Sequence, residues 1–209
     1  GLGKFFIDIA NAIAGWAAGG PAKVAVLSSG LMGTVSGSSV GNVAGTGAFT
    51  IPMMKKLGYR PEFAGAVEAA ASTGGQLMPP VMGAAAFLMA EFVGVPYFDV
   101  VKAAVIPALL YYIGVWLGVH YEAKKYDLKG TPREELPSFK KLFVEKGHLA
   151  LPLIVIVYLL VSGFTPMRAA LAAILLSICC ASLRSSTRIT FRQGVQGLID
   201  GSMGVLGVL

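Results

Sequence analysis

The side chains best suited to chemistry in this chain are hydroxyls and amides gathered at two glycine-rich points. The first point is Ser36-Gly37-Ser38-Ser39, with Asn42 and Thr46 after it. The second point is Ser72-Thr73-Gly74-Gly75-Gln76, with Pro79-Pro80 after it. Neutral oxygen ligands without a cluster of carboxylates suit Na⁺ better than Ca²⁺ or a transition metal. We therefore expect these residues to bind an alkali cation.

The stretch that carries the first point has an unusual length for a membrane segment. Residues 24–54 are uncharged, and one straight helix of that length would reach ~46 Å, against a hydrocarbon core of ~30 Å. Two full crossings would need ~40 residues. Lys23 precedes the stretch and Lys55 and Lys56 follow it, and basic flanks favour the cytoplasmic face. The sequence therefore predicts a re-entrant hairpin over residues 22–56, with its tip inside the membrane.

The second point interrupts another apolar run, residues 61–101. Its tandem proline follows paired glycine, and proline breaks a helix because it lacks the N–H and clashes with the preceding turn. We expect one discontinuous transmembrane helix, with halves over residues 63–75 and 81–95. Helices that stop inside a membrane expose backbone dipoles. N-termini after Ser39 and at Pro80 would favour a carboxylate, whereas carbonyls near Val35 and Gly75 would favour a cation.

The composition points to a membrane protein rather than a soluble domain. Hydrophobic residues make up 55% of the chain and charged residues 13%. The net charge of +6 lies in loops and forms no aromatic-interleaved stripe, which argues against nucleic-acid binding. A GxxxxGK[ST] phosphate loop is missing from the sequence, and the serines at 36–39 have no plausible histidine base nearby in the sequence, which argues against nucleotide-binding and serine-hydrolase chemistry. We expect no enzyme activity and no cofactor besides a coupling ion.

The remaining segments complete an all-α polytopic membrane protein. Residues 121–147 carry seven Lys or Arg and are predicted to be a cytoplasmic loop. The two ends of the chain have amphipathic patterns with similarly placed aspartates, a weak indication of an inverted repeat. The predicted segments are an interfacial arm helix over 1–21, a transmembrane helix over 103–120, a transmembrane pair over 148–183, and the start of a second arm over 190–209.

Three alternatives stay open at this stage. Glu68 lies inside the first half of the broken helix, and an intramembrane carboxylate is either part of the transport path or hydrogen-bonded to a neighbouring helix. Glycines at positions 33, 37, 41 and 45 could instead form a packing seam on one long helix. A re-entrant loop could also line a channel rather than a carrier.

Residues 36–92, SGSSVGNVAGTGAFTIPMMKKLGYRPEFAGAVEAAASTGGQLMPPVMGAAAFLMAEF, resemble the large membrane subunit of the tripartite ATP-independent periplasmic (TRAP) transporters. The chain looks most like the fused form, in which small and large membrane subunits share one polypeptide. The resemblance implies an elevator-type symporter of a bacterial or archaeal inner membrane. It also implies a periplasmic binding protein that delivers an organic acid, such as a C4-dicarboxylate or a sulfonate, and Na⁺ as coupling ion.

By position, the resemblance implies that the tip and the second break form the first sodium site and one wall of the substrate site. The residues expected nearest to Na⁺ are Ser36, Ser38, Ser39 and Thr73. The chain is expected to be an internal piece of a longer polypeptide, with a second hairpin beyond residue 209, so residues 1–209 alone should not transport. A symporter that works without a binding protein and a non-transporting scaffold are the other possibilities.

Overall fold

The computed structural model describes residues 2–182 and 190–206, and within these ranges the chain is helical and contains no strand. The α-helices are α1 (Leu2–Ala14), α2 (Gly20–Ser36), α3 (Ser39–Asn42), α4 (Ala48–Lys56), α5 (Pro61–Gly74), α6 (Ala84–Val93), α7 (Tyr97–Lys125), α8 (Phe139–Lys146), α9 (Leu151–Val161), α10 (Pro166–Ser182) and α11 (Phe191–Leu206). A π-helix, Val43–Gly47, joins α3 to α4. Residue 1, residue 183 and residues 207–209, which end three of the predicted segments, lie outside the described residues.

The first glycine-rich point is a reversal of the chain between two helices. α2 ends at Ser36, and Gly37 follows with φ 58°, a left-handed conformation that glycine adopts at little cost. Ser38 then begins α3 as its N-cap, and its hydroxyl accepts a hydrogen bond from the Gly41 N–H at 3.1 Å. Because Ser29 on α2 contacts Thr46 at 3.1 Å, the two arms lie side by side. The four glycines therefore do not lie on one helix, and the packing-seam interpretation is wrong.

The second glycine-rich point separates α5 from α6. α5 ends at Gly74 and α6 begins at Ala84, with Gly83 as its N-cap. The sequence pattern predicted that the second half-helix starts at Pro80, and this prediction is wrong. The three residues after it stay outside the helix, and Met82 among them has a left-handed φ of 57°. The N-terminus predicted at Pro80 lies four residues further along the chain.

α7 is longer than the helix predicted over residues 103–120. It begins directly after Pro96 and continues through Lys124 and Lys125, whose charges are favourable at a helix C-terminus. The predicted loop over 121–147 therefore starts with helical residues, and it also contains a 3₁₀ turn, Arg133–Glu135, and α8. A polar sequence indicates exposure to water, but it does not by itself end a helix.

Two helical stretches in the described part of the chain are long and apolar enough to cross a membrane. They are Tyr97–Lys125, and Phe139–Val161, in which α8 and α9 are joined by a 3₁₀ turn. Ala84–Val93 and Pro166–Ser182 are apolar but shorter. α9 and α10 pack against each other.

α1 packs its apolar face on the hairpin instead of standing apart from it. Phe5, Phe6 and Ala10 are buried, and Ala10 belongs to a small core with Val24 of α2. On its polar face, Asp8 forms an ion pair with Lys146 of α8 at 3.1 Å. α1 therefore lies between the hairpin and α8, whereas the described side chains of α11 are mostly exposed.

Candidate functional site

The hairpin tip and the segment between α5 and α6 contact each other directly through backbone atoms. A methyl group added to Gly37 would lie 1.8 Å from the Met82 carbonyl oxygen. One added to Gly33 would lie 2.4 Å from the Gly75 Cα. Neither approach is possible for a residue with a side chain, so glycine is required at both contacts. The contacts join the tip of the hairpin to the segment between α5 and α6.

Ser36, Asn42 and Ser72 form the polar centre of this junction. The Ser36 hydroxyl donates to Asn42 Oδ1 at 2.5 Å, and the Asn42 amide donates to the Ser72 carbonyl at 3.4 Å. Asn42 is fully buried, whereas Ser36 is half-buried and Ser38 is exposed. The serine oxygens of the junction are therefore accessible from outside, whereas Asn42 closes the junction on its inner side.

A second bridge runs outside this centre, from Gln76 to Ser39. The Gln76 amide donates to the Ser39 hydroxyl at 3.0 Å, and the Gly83 N–H donates to the Gln76 carbonyl at 2.8 Å. Thr73 is exposed, and its hydroxyl donates to the Ala69 carbonyl one turn back at 2.8 Å. Of the predicted residues nearest to Na⁺, Ser36 and Ser39 thus have side-chain bonds within or across the junction, while the Thr73 side chain bonds within its own helix.

The prolines of the second break contribute backbone carbonyls rather than a helix end. Pro79 is half-buried, Pro80 is buried, and the peptide bond between them is cis. The Tyr97 hydroxyl, from the start of α7, lies 3.1 Å from the Pro80 carbonyl oxygen and 2.6 Å from the Val81 carbonyl oxygen. Tyr97 therefore fixes the end of the broken segment to the following helix.

α7 also holds the end of α5 through two adjacent tyrosines. The Tyr111 hydroxyl donates to the Ala70 carbonyl at 2.8 Å, and the Tyr112 hydroxyl donates to the Ala71 carbonyl at 2.9 Å. The Ala71 carbonyl belongs to the last turn of α5, where helix carbonyls lack partners within the helix. The Tyr112 phenol supplies that missing partner, and the Tyr111 phenol adds a second bond between α7 and the end of α5.

Glu68 lies beneath the junction, fully buried among hydroxyl groups. Oε1 accepts hydrogen bonds from Ser29 at 3.1 Å, from Thr46 at 2.5 Å and from Ser72 at 3.0 Å. Thr50 donates to Oε2. The predicted site residue Ser72 therefore directs its hydroxyl to Glu68, whereas the Thr46 hydroxyl contacts both Glu68 and, at 2.8 Å, the Asn42 carbonyl oxygen. Among the described residues, no Lys, Arg or His lies within ion-pair distance of this carboxyl.

Several contributors to the site carry no obvious signal in the sequence. Ser29 and Thr50 lie in apolar runs, Tyr111 and Tyr112 lie in a segment that was predicted only as a transmembrane helix, and Tyr97 was not singled out within the predicted broken helix. One signal was available, because Asn42, Thr46 and Thr50 recur at intervals of four residues and so share one helix face. No group of three or more His, Cys, Asp or Glu able to hold a metal occurs in the described part of the chain.

Comparison with known proteins decides the family. The family model described as "Tripartite ATP-independent periplasmic transporter, DctM component" matches residues 1–209. The chain belongs to the DctM family of TRAP transporter components. The proteins named among its relatives are transporter permease proteins, not enzymes.

Three relatives illustrate the range of the family. The C4-dicarboxylate TRAP transporter large permease protein of Pseudomonas aeruginosa is 32% identical over 83% of this chain, and that of Vibrio cholerae is 30% identical over 87%. The sialic acid TRAP transporter large permease protein of Vibrio cholerae is 27% identical over 81% of this chain. The chain spans 40% of the length of each of these relatives.

Proposed function

We propose that this chain is part of the membrane permease of a sodium-coupled secondary transporter. The transporter imports a small organic anion, a carboxylate or a sulfonate, that a periplasmic binding protein delivers. It works in a bacterial or archaeal inner membrane together with a small membrane subunit, which we propose is fused in the same polypeptide. The observation that carries the proposal is the junction between the hairpin tip and the break after α5, in a chain of the DctM family.

In this proposal the hairpin over residues 22–56 is re-entrant and its tip lies within the membrane. Irregular backbone at membrane depth is tolerated only where it is buried in protein or lines a polar cavity, and broken helices of this kind form the substrate and ion sites of many secondary transporters. Sodium binds beside the tip, near Ser36, Ser38, Ser39 and Thr73. The body that contains the tip moves between the two membrane faces as an elevator.

The anion is proposed to bind beside the same junction. Ser38 caps the N-terminus of the second hairpin arm with an exposed side chain, and unpaired N–H groups at a helix N-terminus favour a negative charge. The three relatives described above are named as transporters of carboxylic acids, two of a C4-dicarboxylate and one of sialic acid. A carboxylate is therefore the first substrate class to test.

The decisive experiment is uptake by the full-length polypeptide in liposomes, with its soluble receptor and a panel of organic acids. We expect saturable uptake that requires both the receptor and an inward Na⁺ gradient. The double substitution Ser38→Ala with Ser39→Ala should abolish sodium-dependent uptake without loss of membrane insertion. Ser202→Ala is the matched control, because Ser202 is an exposed serine on α11.

Other results would replace the proposal. Uptake that needs no receptor would indicate a symporter that works without a binding protein, and current proportional to voltage without saturation would indicate a channel. Unchanged sodium-dependent uptake in the double variant would exclude the serines as sodium ligands.

A further inference from the structure

A cavity of about 490 Å³ lies between the α1–α2 connection and the segment that follows α7. Its lining includes Trp16 and Ala18 of the connection, Lys124 near the end of α7, and residues 127–133. Binding sites for small ligands commonly have volumes of about 300–1,000 Å³, so this cavity is large enough for one. Its lining residues are separate from the junction, and the function proposed above gives them no role.

Backbone contacts hold the two walls of the cavity together. The Gly19 N–H donates to the Leu128 carbonyl at 3.0 Å, and the Thr131 N–H donates to the Gly15 carbonyl at 2.8 Å. Gly130 packs directly on the connection, because a methyl group added to it would lie 2.4 Å from a backbone oxygen there. The fold itself therefore forms the cavity, and a ligand does not have to order its walls.

The charges that line the cavity are mostly positive. Lys124, Lys129 and Arg133 contribute three positive charges and Asp127 contributes one negative charge, which gives the lining a net charge of +2. All four residues are exposed. None of them forms an ion pair with another side chain that the structure describes. The excess positive charge is therefore available to an anion.

Trp16 orients one of these cations. The guanidinium carbon of Arg133 lies 4.8 Å from the centroid of the Trp16 ring, and the indole N–H donates to the Ile13 carbonyl at 2.9 Å. The N–H groups of a guanidinium lie in its plane and pair with a phosphate through two parallel hydrogen bonds, whereas lysine acts on a phosphate as a point charge. The lining therefore combines one bidentate donor with two point charges.

A phosphate ester suits this lining better than a carboxylate does. A phosphate monoester carries up to about two negative charges and three acceptor oxygens, which matches the net charge and the three cations of the lining. A carboxylate carries one negative charge and two oxygens, so it would leave part of the positive charge without a partner. The chemistry of the described lining therefore favours a phosphate group.

The cavity lies in a part of the chain that is predicted at the cytoplasmic surface of the membrane. It begins near the C-terminal end of α7, a helix long and apolar enough to cross a membrane, and it continues into the predicted cytoplasmic loop. Anionic phospholipids of the cytoplasmic leaflet attract Lys and Arg, and Trp is enriched at membrane interfaces. A lipid head group and a soluble phosphate ester would both have access to such a position.

We propose that this cavity binds an anionic phosphate ester. Arg133 donates two hydrogen bonds to the phosphate oxygens, Lys124 and Lys129 neutralise the remaining charge, and Asp127 weakens the binding by repulsion. The ester is either the head group of an anionic phospholipid or a soluble compound with the same group. The position at the membrane surface rests on the proposed transporter function, whereas the binding itself does not.

Binding to the full-length protein in detergent tests the proposal with three probes. Phosphatidylglycerol has an anionic phosphate ester as head group, the choline cation of phosphatidylcholine cancels that charge, and glycerol 3-phosphate is a soluble ester. Native mass spectrometry measures the bound fraction at each concentration. Saturable binding of phosphatidylglycerol in excess of phosphatidylcholine would identify a lipid head group as the ligand, and saturable binding of glycerol 3-phosphate would identify a soluble ester.

The double substitution Lys129→Gln with Arg133→Gln removes two of the three positive charges. We expect it to weaken binding of the anionic probe about 25-fold, or about fivefold for each charge. Lys140→Gln with Lys141→Gln is the matched control, because these exposed lysines of α8 carry the same two charges outside the cavity. The control should bind the probe as the wild type does.

Asp127→Asn gives a test in the opposite direction. It removes the negative charge of the lining and should strengthen binding about fivefold by the same reasoning. Asp127 has a left-handed φ of 50°, which asparagine also tolerates, so the backbone should be preserved. A gain of affinity cannot result from misfolding.

Several results would overturn the phosphate site. They are the absence of saturable binding of both anionic probes, wild-type affinity in the Lys129 and Arg133 variant, and equal weakening in the control pair, which would indicate a general attraction to basic residues. Unchanged or weaker binding by Asp127→Asn would also overturn it. Transport enters none of these measurements, so their outcome is independent of whether the protein transports an acid.

Discussion

The hairpin with α5, and the pair α9–α10, bury opposite kinds of side chain. In the first region, Asn42, Thr46, Glu68 and other polar groups are fully enclosed. In the second, α9 consists largely of Leu, Ile and Val, yet Leu160 is the residue it buries. A water-soluble protein normally encloses the apolar residues and exposes the polar ones. We therefore expect lipid, rather than water, around the outer helices.

The largest effect should come from the contact between the two breaks. Gly37→Ala places a methyl group 1.8 Å from the Met82 carbonyl oxygen and puts a side chain at a left-handed φ. The tip must therefore move, and we expect loss of uptake together with a clear fall in thermal stability. Gly65→Ala is the control, because nothing lies within 4 Å of its added methyl group. Normal uptake by Gly37→Ala would mean that the junction is not maintained in the working protein.

A charge on the apolar outer surface tests the other half of the comparison. Ile154 on α9 is 61% exposed, and a lysine there would be nearly neutral if water surrounded it. Within a membrane, it should cost up to about 2.5–3.5 kcal/mol of insertion free energy. Insertion efficiency in a membrane-translocation assay measures this cost, with Ile154→Leu as the control. Equal insertion of the lysine and leucine variants would show that this face does not contact lipid.

The smallest effect on stability is expected from removing a buried hydroxyl that has no hydrogen-bond partner. Tyr59 is 4% exposed, and its hydroxyl has no hydrogen-bond partner among the described residues. Burial and the charge of Glu122 raise the pKa of Tyr59 to about 12, so the phenol is neutral at physiological pH. Tyr59→Phe removes an unpaired group and should leave the unfolding free energy unchanged or slightly higher.

Tyr112→Phe is the contrasting variant for Tyr59→Phe. It removes a hydroxyl that donates to the Ala71 carbonyl, so it should lower the unfolding free energy by about 1 kcal/mol. Chemical denaturation of the two variants in the same detergent measures the difference. Equal losses in both variants would show that partnered and unpartnered phenols contribute alike, contrary to the interpretation of the interior.

Much of the architecture follows from local chemistry in the sequence. The all-helical class is confirmed, and the breaks occur where glycine and proline remove the ability to continue a helix. The start of α6 could not be predicted, because the backbone of residues 81–83 depends on its contacts with Gly37 and Tyr97. Local propensity also did not predict that α7 continues into a polar segment.

The candidate site was predictable only in part, for a related reason. Clustered serines and glycines identify the tip, because few other functions explain them inside an apolar run. Ser29 and Thr50 are single polar residues among apolar neighbours, and packing alone determines that both point to Glu68. The sequence left open whether Glu68 lies in the transport path or is hydrogen-bonded to a neighbouring helix, and the folded arrangement shows that hydroxyl groups from other segments bond its carboxyl group.

The paired phenols of Tyr111 and Tyr112 bear on the elevator motion that we propose. Both bonds join α7 to the C-terminal part of α5. If α7 stayed still while the hairpin and α5 moved, both hydrogen bonds would have to break in every transport cycle. We therefore expect α7 to travel with the hairpin and α5, so that the boundary between moving and stationary helices lies on the side of α7 away from these tyrosines.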